Sequence, residues 1–208
     1  MLDKATKANI ALKPWPGITL QADFVKLLNT LPPMGVGTTH FKDRTGKIFN
    51  LGVIGAFLAH RNLWKHIVET GKGEVGTFIS EDDIDILPDF HSKLIALEDE
   101  IQKYASDWDI LFVDKNIPTI VGNKVSEHLI KLDKDITGSK NWGIWSYIVK
   151  NESVGPKILP HFEDMLDVPD IQLARFADVI NMYLITPSIT YADPETAFDS
   201  VVTQKNST

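Results

Sequence analysis

Four short apolar runs restrict the folds open to this chain: "VGTFIS" (75–80), "DWDILFVD" (107–114), "NWGIWSYIV" (141–149) and "VINMYLIT" (179–186). Each is too short for a buried helix and rich in β-branched or aromatic residues, so each reads as a buried strand. Between them lie segments of helical period. "NLGVIGAFLAHRNLWKHIV" (50–68) sets Ile54, Phe57, Trp64, Ile67 and Val68 on one face, with Arg61, Asn62 and Lys65 elsewhere. From Asp89 to Tyr104, Phe90, Leu94, Leu97, Ile101 and Tyr104 recur at spacings of three and four. A short helix is expected from Ala22 to Leu31 after an irregular lead-in around Trp15, and another after the third strand, capped by Ser153. Strands alternating with helices predict an α/β fold: a mostly parallel, twisted sheet with helices on both faces.

The 208 residues suit a single domain, 1–208, long enough to bury a core without staples. The chain has no cysteine, which removes disulfides, thiolate metal sites and cysteine nucleophiles together. No apolar run reaches the roughly 20 residues that cross a bilayer, and the N-terminus lacks a signal peptide's apolar middle, so a soluble, cytoplasmic protein is expected, with association at a membrane surface still open. A net charge of −7 argues against a nucleic-acid partner, because phosphates are neutralised by clustered Lys and Arg. A chain this acidic handles phosphates best through a bound cation.

The first strand runs into "SEDDID", which places Glu81, Asp82, Asp83 and Asp85 together. In open α/β sheets ligands bind beyond the carboxyl ends of the strands, where this cluster falls. Adjacent carboxylates repel, and a hard divalent ion such as Mg²⁺ or Mn²⁺, which takes oxygen ligands from one or two carboxylates, phosphates and water, is their natural counter-charge. A solvated acidic loop capping the next helix is the equally simple reading.

The neighbouring segments carry a resemblance. "LGVIGAFLAHRNLWKHIVETG" followed by "FISEDDI", then "DWDILFVD", "GSKNWGIWSYIVKNESVGPKIL" and "LDVPDIQLARF" with "MYLITPSITYADPETAFDS" are similar, in that order, to segments of the family 25 glycosyltransferases, the lipopolysaccharide and collagen galactosyltransferase type. The likeness spans roughly Gly52 to Ser200. It implies a GT-A fold, with one departure: residues 1–49 show no clear version of the family's opening βαβ unit, so the nucleotide-binding half is expected to be shortened, or the domain to belong to a longer protein. Ala59 also stands where the family usually has Ser.

The resemblance implies a metal-dependent transfer, with inversion, of a hexose from a UDP-sugar of the galactose or glucose type to a hydroxyl of a glycan or glycoconjugate acceptor. Asp83, with Glu81, would hold Mn²⁺ or Mg²⁺ against the donor diphosphate. Glu81 and Asp82 would steer ribose, metal waters or sugar hydroxyls, His60 and Arg61 would lie near the nucleotide, with a core or boundary histidine the commoner reading of His60, and Asp199 and Ser200 would close over the pyrophosphate or belong to a fraying end. Inversion calls for a carboxylate that takes the acceptor's proton. Asp170 is the first candidate, with Asp167 second and an N-cap role equally open to Asp170. Trp142 and Trp145, read as residues of the third strand, could offer indole faces to a sugar ring or belong to the core. Asp114 could orient the acceptor or end a strand.

Two other readings stay open. A Mg²⁺-dependent phosphohydrolase would use Asp83 and Asp85 as a paired strand-end motif, though the sequence after them lacks the usual Thr or Val. A carbohydrate- or partner-binding domain derived from a transferase would keep the fold and lose catalysis.

Overall fold

The computed structural model describes residues 5–6, 8, 10–18, 51–115 and 117–192. The helix expected at Ala22 to Leu31 and the residues Asp199 and Ser200 lie outside them. Six strands form the main sheet: β1 (Gly76–Ser80), β3 (Ile110–Asp114), β4 (Gly122–Lys124), β5 (Leu129–Leu132), β6 (Ser146–Lys150) and β7 (Met182–Ile185), in the order β1-β6-β3-β7-β5-β4. A separate two-stranded ribbon pairs β2 (Ile84–Ile86) with β8 (Thr190–Ala192).

The sheet corrects the expectation of mostly parallel strands. Among the described residues β3 and β7 pair in parallel, and the other pairings are antiparallel. The reason lies chiefly in β6. Being antiparallel to β6, β1 and β3 run the same way, and β7 follows β3. The helical crossovers thus do what a strand and helix alternation predicts. A later strand, β6, then slots between β1 and β3 in the opposite sense, and the short hairpin β4–β5 extends the far edge. Alternation fixes the direction of strands joined by crossovers and is silent about what inserts between them.

Both faces of the sheet are covered. On the first lie α1 (Leu51–Thr70), the helical stretch that begins at Asn151 and ends at His161, and α4 (Pro169–Ala174). Ile54, Phe57, Trp64 and Ile67 of α1 meet Ile79, Phe112, Tyr147, Val149 and Leu184, all buried. Their spacing in α1 is the period seen in the sequence, and each large side chain removed from water contributes roughly 1.5–3 kcal/mol. On the second face lie α2 (Phe90–Ala96), α3 (Glu98–Tyr104), the β2–β8 ribbon and the N-terminal residues Ala5 and Ala8. All five residues of β3 are buried: Ile110 and Phe112 face the first layer, Leu111 and Val113 the second, which is why the strand reads as an unbroken apolar run.

Two local expectations are adjusted. The helix expected over Asp89 to Tyr104 is interrupted at Leu97, whose amide bonds to the carbonyls of both Lys93 and Leu94 at 3.2 Å. Ser153 does not cap the helix after β6. Lys150 holds the N-cap position, and the Ser153 hydroxyl donates instead to buried Asp109 Oδ1 at 2.5 Å. That stretch widens to a π turn at Val154–Ile158, where Pro156 has no N–H to give the regular ladder, and tightens to a 3₁₀ turn at Leu159–His161.

The lead-in around Trp15 is irregular, as expected, and packs against α1. Trp15 stacks on His66 with ring centroids 4.9 Å apart. The Ile18 carbonyl approaches Gly55 so closely that a Cβ there would sit 2.4 Å from its oxygen.

Candidate functional site

The acidic run divides in two. β1 surfaces at Ser80, and Glu81, Asp82 and Asp83 make the turn into β2, with Asp82 exposed and the other two half-buried. Within β2, Ile84 and Ile86 are buried and Asp85 lies between them on the other face, opposite Tyr191 of β8. Glu81, Asp82 and Asp83 thus belong to the turn, and Asp85 to the strand that follows it.

Glu81 is backed by a polar chain rising from the core. Tyr147 of β6 is fully buried, and that burial pushes its phenol well above the ordinary value of 10.0, so it keeps its proton. Trp64 Nε1 donates to the Tyr147 oxygen at 3.0 Å, and His60 Nδ1 lies 2.8 Å from the same oxygen. The Tyr147 oxygen thus joins Trp64 to His60, with the donor of the His60 bond set by the imidazole tautomer. His60 Nε2 faces Glu81 Oε1 at 3.6 Å. His60 is thus both a buried helix residue and a neighbour of the acidic turn.

A second group gathers around the loop that leads into β6. Trp142 and Trp145 precede the strand instead of belonging to it, which corrects the sequence reading: Asn141 has φ 56° and Gly143 φ 99°, and these left-handed residues end any extended run. The loop is anchored at Thr119, whose carbonyl takes the Asn141 amide at 2.8 Å and whose hydroxyl takes the Trp142 amide at 3.0 Å. Trp142 is 40% exposed and its Nε1 donates to the Gly138 carbonyl at 3.1 Å. Trp145 lies across Gly143, its ring 3.2 Å from where a Cβ would be.

Asp170, in the first turn of α4, reaches this loop: its Oδ2 accepts the Gly143 amide at 2.9 Å and its Oδ1 the Ile171 amide at 2.9 Å. From the other side comes Lys115, which the sequence analysis did not single out. It is 4% exposed, its Nζ donates to the Gly143 carbonyl at 2.5 Å, and it sits 3.9 Å from the centroid of the Phe112 ring. Burial lowers its pKa to about 7 against the opposing pull of Asp170 and Asp114.

The two groups join at the end of the sheet. The Glu81 amide donates to the Trp145 carbonyl at 2.8 Å. One row of the register sets Ser80, Ser146 and Asp114 side by side, just before the acidic turn and Lys115. Glu81, Asp82, Asp83, His60, Trp142, Trp145, Asp114 and Asp170 are thereby borne by elements that meet at this end of β1, β6 and β3.

Other expected residues are placed differently. Arg61 is engaged elsewhere: its Nη1 donates to the Glu163 carbonyl at 2.9 Å and its guanidinium lies 6.0 Å from the Phe57 ring centroid. Asp167 is ion-paired with Arg175 and accepts the Val168 amide at 3.0 Å. A groove of about 600 Å³, lined by Lys72, Val75, Lys150 and Asn151, opens at the other end of β1, away from the acidic turn. It touches none of the residues expected to do chemistry, so the strand-end geometry outranks it as a site.

The acidic turn offers hard oxygen donors, the type that suits Mg²⁺ or Mn²⁺. Among the described residues no three His, Asp or Glu side chains converge as a full protein ligand set. The turn is therefore not a closed protein cage for a metal ion among the described residues.

No family model matches the chain. Among curated proteins, 70 residues, 34% of the chain, are 31% identical to a segment of procollagen galactosyltransferase 1 of Danio rerio that makes up 11% of that protein. A 64-residue stretch, 31% of the chain, is 31% identical to procollagen galactosyltransferase 2 of Mus musculus, covering 10% of it. Seventy-one residues, 34% of the chain, are 28% identical to a Bos taurus protein named probable inactive glycosyltransferase 25 family member 3, covering 12% of it. These matches bear out the family 25 resemblance over about a third of the chain, a shorter span than Gly52 to Ser200. The matched segment spans about a tenth of the length of these relatives.

Proposed function

We propose that this chain, similar in one segment to family 25 glycosyltransferases, is a glycosyltransferase domain of GT-A type that transfers a hexose from a UDP-sugar to a glycan or glycoconjugate hydroxyl. The observation that carries the reading is the Glu81–Asp83 turn at the carboxyl end of β1, with His60 behind it and the Trp142–Trp145 loop beside it. Asp83 and Glu81 would hold Mn²⁺ or Mg²⁺. Such an ion supplies positive charge to the departing diphosphate, which an acidic surface cannot supply alone.

The chain's own residues have separable tasks. His60 steadies Glu81, exposed Asp82 is free to reach ribose or sugar hydroxyls, and the half-exposed indole of Trp142 offers a face to a sugar ring. Asp170 takes the acceptor's proton, in keeping with inversion. Between the two candidate bases its place beside the Trp loop favours it over Asp167, which is committed to Arg175.

The test is donor turnover: UDP release from UDP-galactose, UDP-glucose and UDP-N-acetylglucosamine, with and without Mn²⁺. Release with one hexose that requires the ion and is lost in Asp83→Ala supports the reading. Mn²⁺-dependent UDP binding without release from any donor would instead favour a non-catalytic sugar- or partner-binding domain, the reading suggested by the relative named as probably inactive.

A further inference from the structure

We propose that Lys115 is a positioning residue: with Asp170 it clamps Gly143 and thereby sets the 141–145 loop and, through it, the acidic turn. The ligand part of this inference rests on the glycosyltransferase reading; the clamp itself does not.

Two bonds hold one residue from opposite sides. Asp170 Oδ2 accepts the Gly143 N–H at 2.9 Å, and Lys115 Nζ donates to the Gly143 carbonyl at 2.5 Å. Gly143 holds φ 99°, a conformation that residues with a Cβ rarely adopt, so the loop's path depends on this point. Two residues on, the Trp145 carbonyl takes the Glu81 amide at 2.8 Å. A continuous path therefore runs from Lys115 and Asp170 through Gly143 and Trp145 to the first acid of the turn.

A buried lysine is costly, and packing alone does not call for one. Its surroundings include the apolar side chains of Phe112, Leu132, Leu173 and Met182. The charged groups acting on the ammonium are Asp170 from α4 and Asp114 beside it in the chain. Because burial brings the lysine's pKa down to about 7, the ammonium form predominates below neutrality and the clamp slackens as pH rises past it. A buried ammonium bonded to the Gly143 carbonyl, with the charges of Asp170 and Asp114 acting on it, amounts to a device for holding the loop, at a cost in folding stability that a hydrophobic residue would not incur.

The experiment measures amide hydrogen exchange and UDP binding in the full chain, wild type against Lys115→Met. Exchange is expressed as protection factors, which remove the intrinsic effect of pH. In Lys115→Met the Gly143 and Glu81 amides should lose about tenfold or more in protection while β7 is unchanged, the scale expected for losing a charge-assisted bond. Affinity for UDP with Mn²⁺ should fall by a comparable factor. As a second measurement, wild-type loop protection should drop between pH 6 and 8, and the variant's should stay flat. Unchanged protection at Gly143 and Glu81 in the variant, or a flat wild-type profile, overturns the proposal. A wild type that binds no UDP with Mn²⁺ overturns the donor reading alone, and the exchange result still decides the clamp.

Discussion

Tyr147 links the core to the acidic turn through one hydroxyl. Its oxygen satisfies the indole N–H of Trp64, fully buried in the first layer, and lies 2.8 Å from Nδ1 of His60, whose Nε2 faces Glu81. Tyr147→Phe keeps the ring and strands a buried N–H, which costs roughly 1–3 kcal/mol of stability, read as a lower denaturation midpoint at unchanged m-value. A loss below about 0.5 kcal/mol would mean that the Trp64 N–H finds another partner. Gly55 is a second residue where one atom decides. Gly55→Ala places a Cβ 2.4 Å from the Ile18 oxygen and forces the lead-in off α1. Overpacking of this kind costs about 1–3 kcal/mol, despite alanine's better helix propensity, so urea melts should show net destabilisation.

The elements divide into those a sequence can show and those it cannot. α1 is legible because nearly four turns of apolar spacing leave one solution, and β3 and β7 because buried runs bounded by polar residues leave little else; β1, expected to be buried as well, is an edge strand with only Ile79 buried. The three-residue strands β2, β4 and β8 are too short for any period to register. The insertion of β6 was hidden for a different reason: strand direction is a long-range property, and the positive φ at Asn141 and Gly143 that turns the chain into β6 leaves only "NWG" as a trace. Lys115 was missed likewise, since a lysine after an apolar strand normally reaches water, and its burial follows from α4 packing over it. The turn from Asp135 to Lys140 gives this scale its own test. Burial alone would raise the Asp135 pKa, but the Thr137 hydroxyl and the amides of Thr137, Ser139 and Lys140 outweigh it and hold the carboxyl at about 2, below its ordinary 3.8. Its contribution to stability is therefore complete above pH 3.8 and lost as pH falls toward 2. Asp135→Asn should flatten the acid limb of a stability profile over that window. An unchanged limb would show that the turn does not depend on the charge.

At the scale of the molecule, function is argued from where the sheet ends. The carboxyl ends of β1 and β3 and the start of β6 bring Glu81, Asp83, His60, Lys115 and the Trp142–Trp145 loop to one end of the sheet, whereas the groove beside Lys72 and Val75 lies at the other. The acids were legible as a cluster in the sequence, but their separation into a turn of three and an outward-facing Asp85 was not, because it depends on the ribbon formed with β8. Among the described residues no helix is long and apolar enough to cross a membrane. The central claim is that the Glu81–Asp83 turn binds a nucleoside diphosphate through a divalent ion. Calorimetric titration of UDP into the protein with and without Mn²⁺, in wild type and in Asp83→Ala, tests it most directly. The account predicts saturable binding that requires Mn²⁺ and weakens by more than about tenfold in the variant; UDP binding that is absent, or indifferent to both the ion and Asp83, would contradict it.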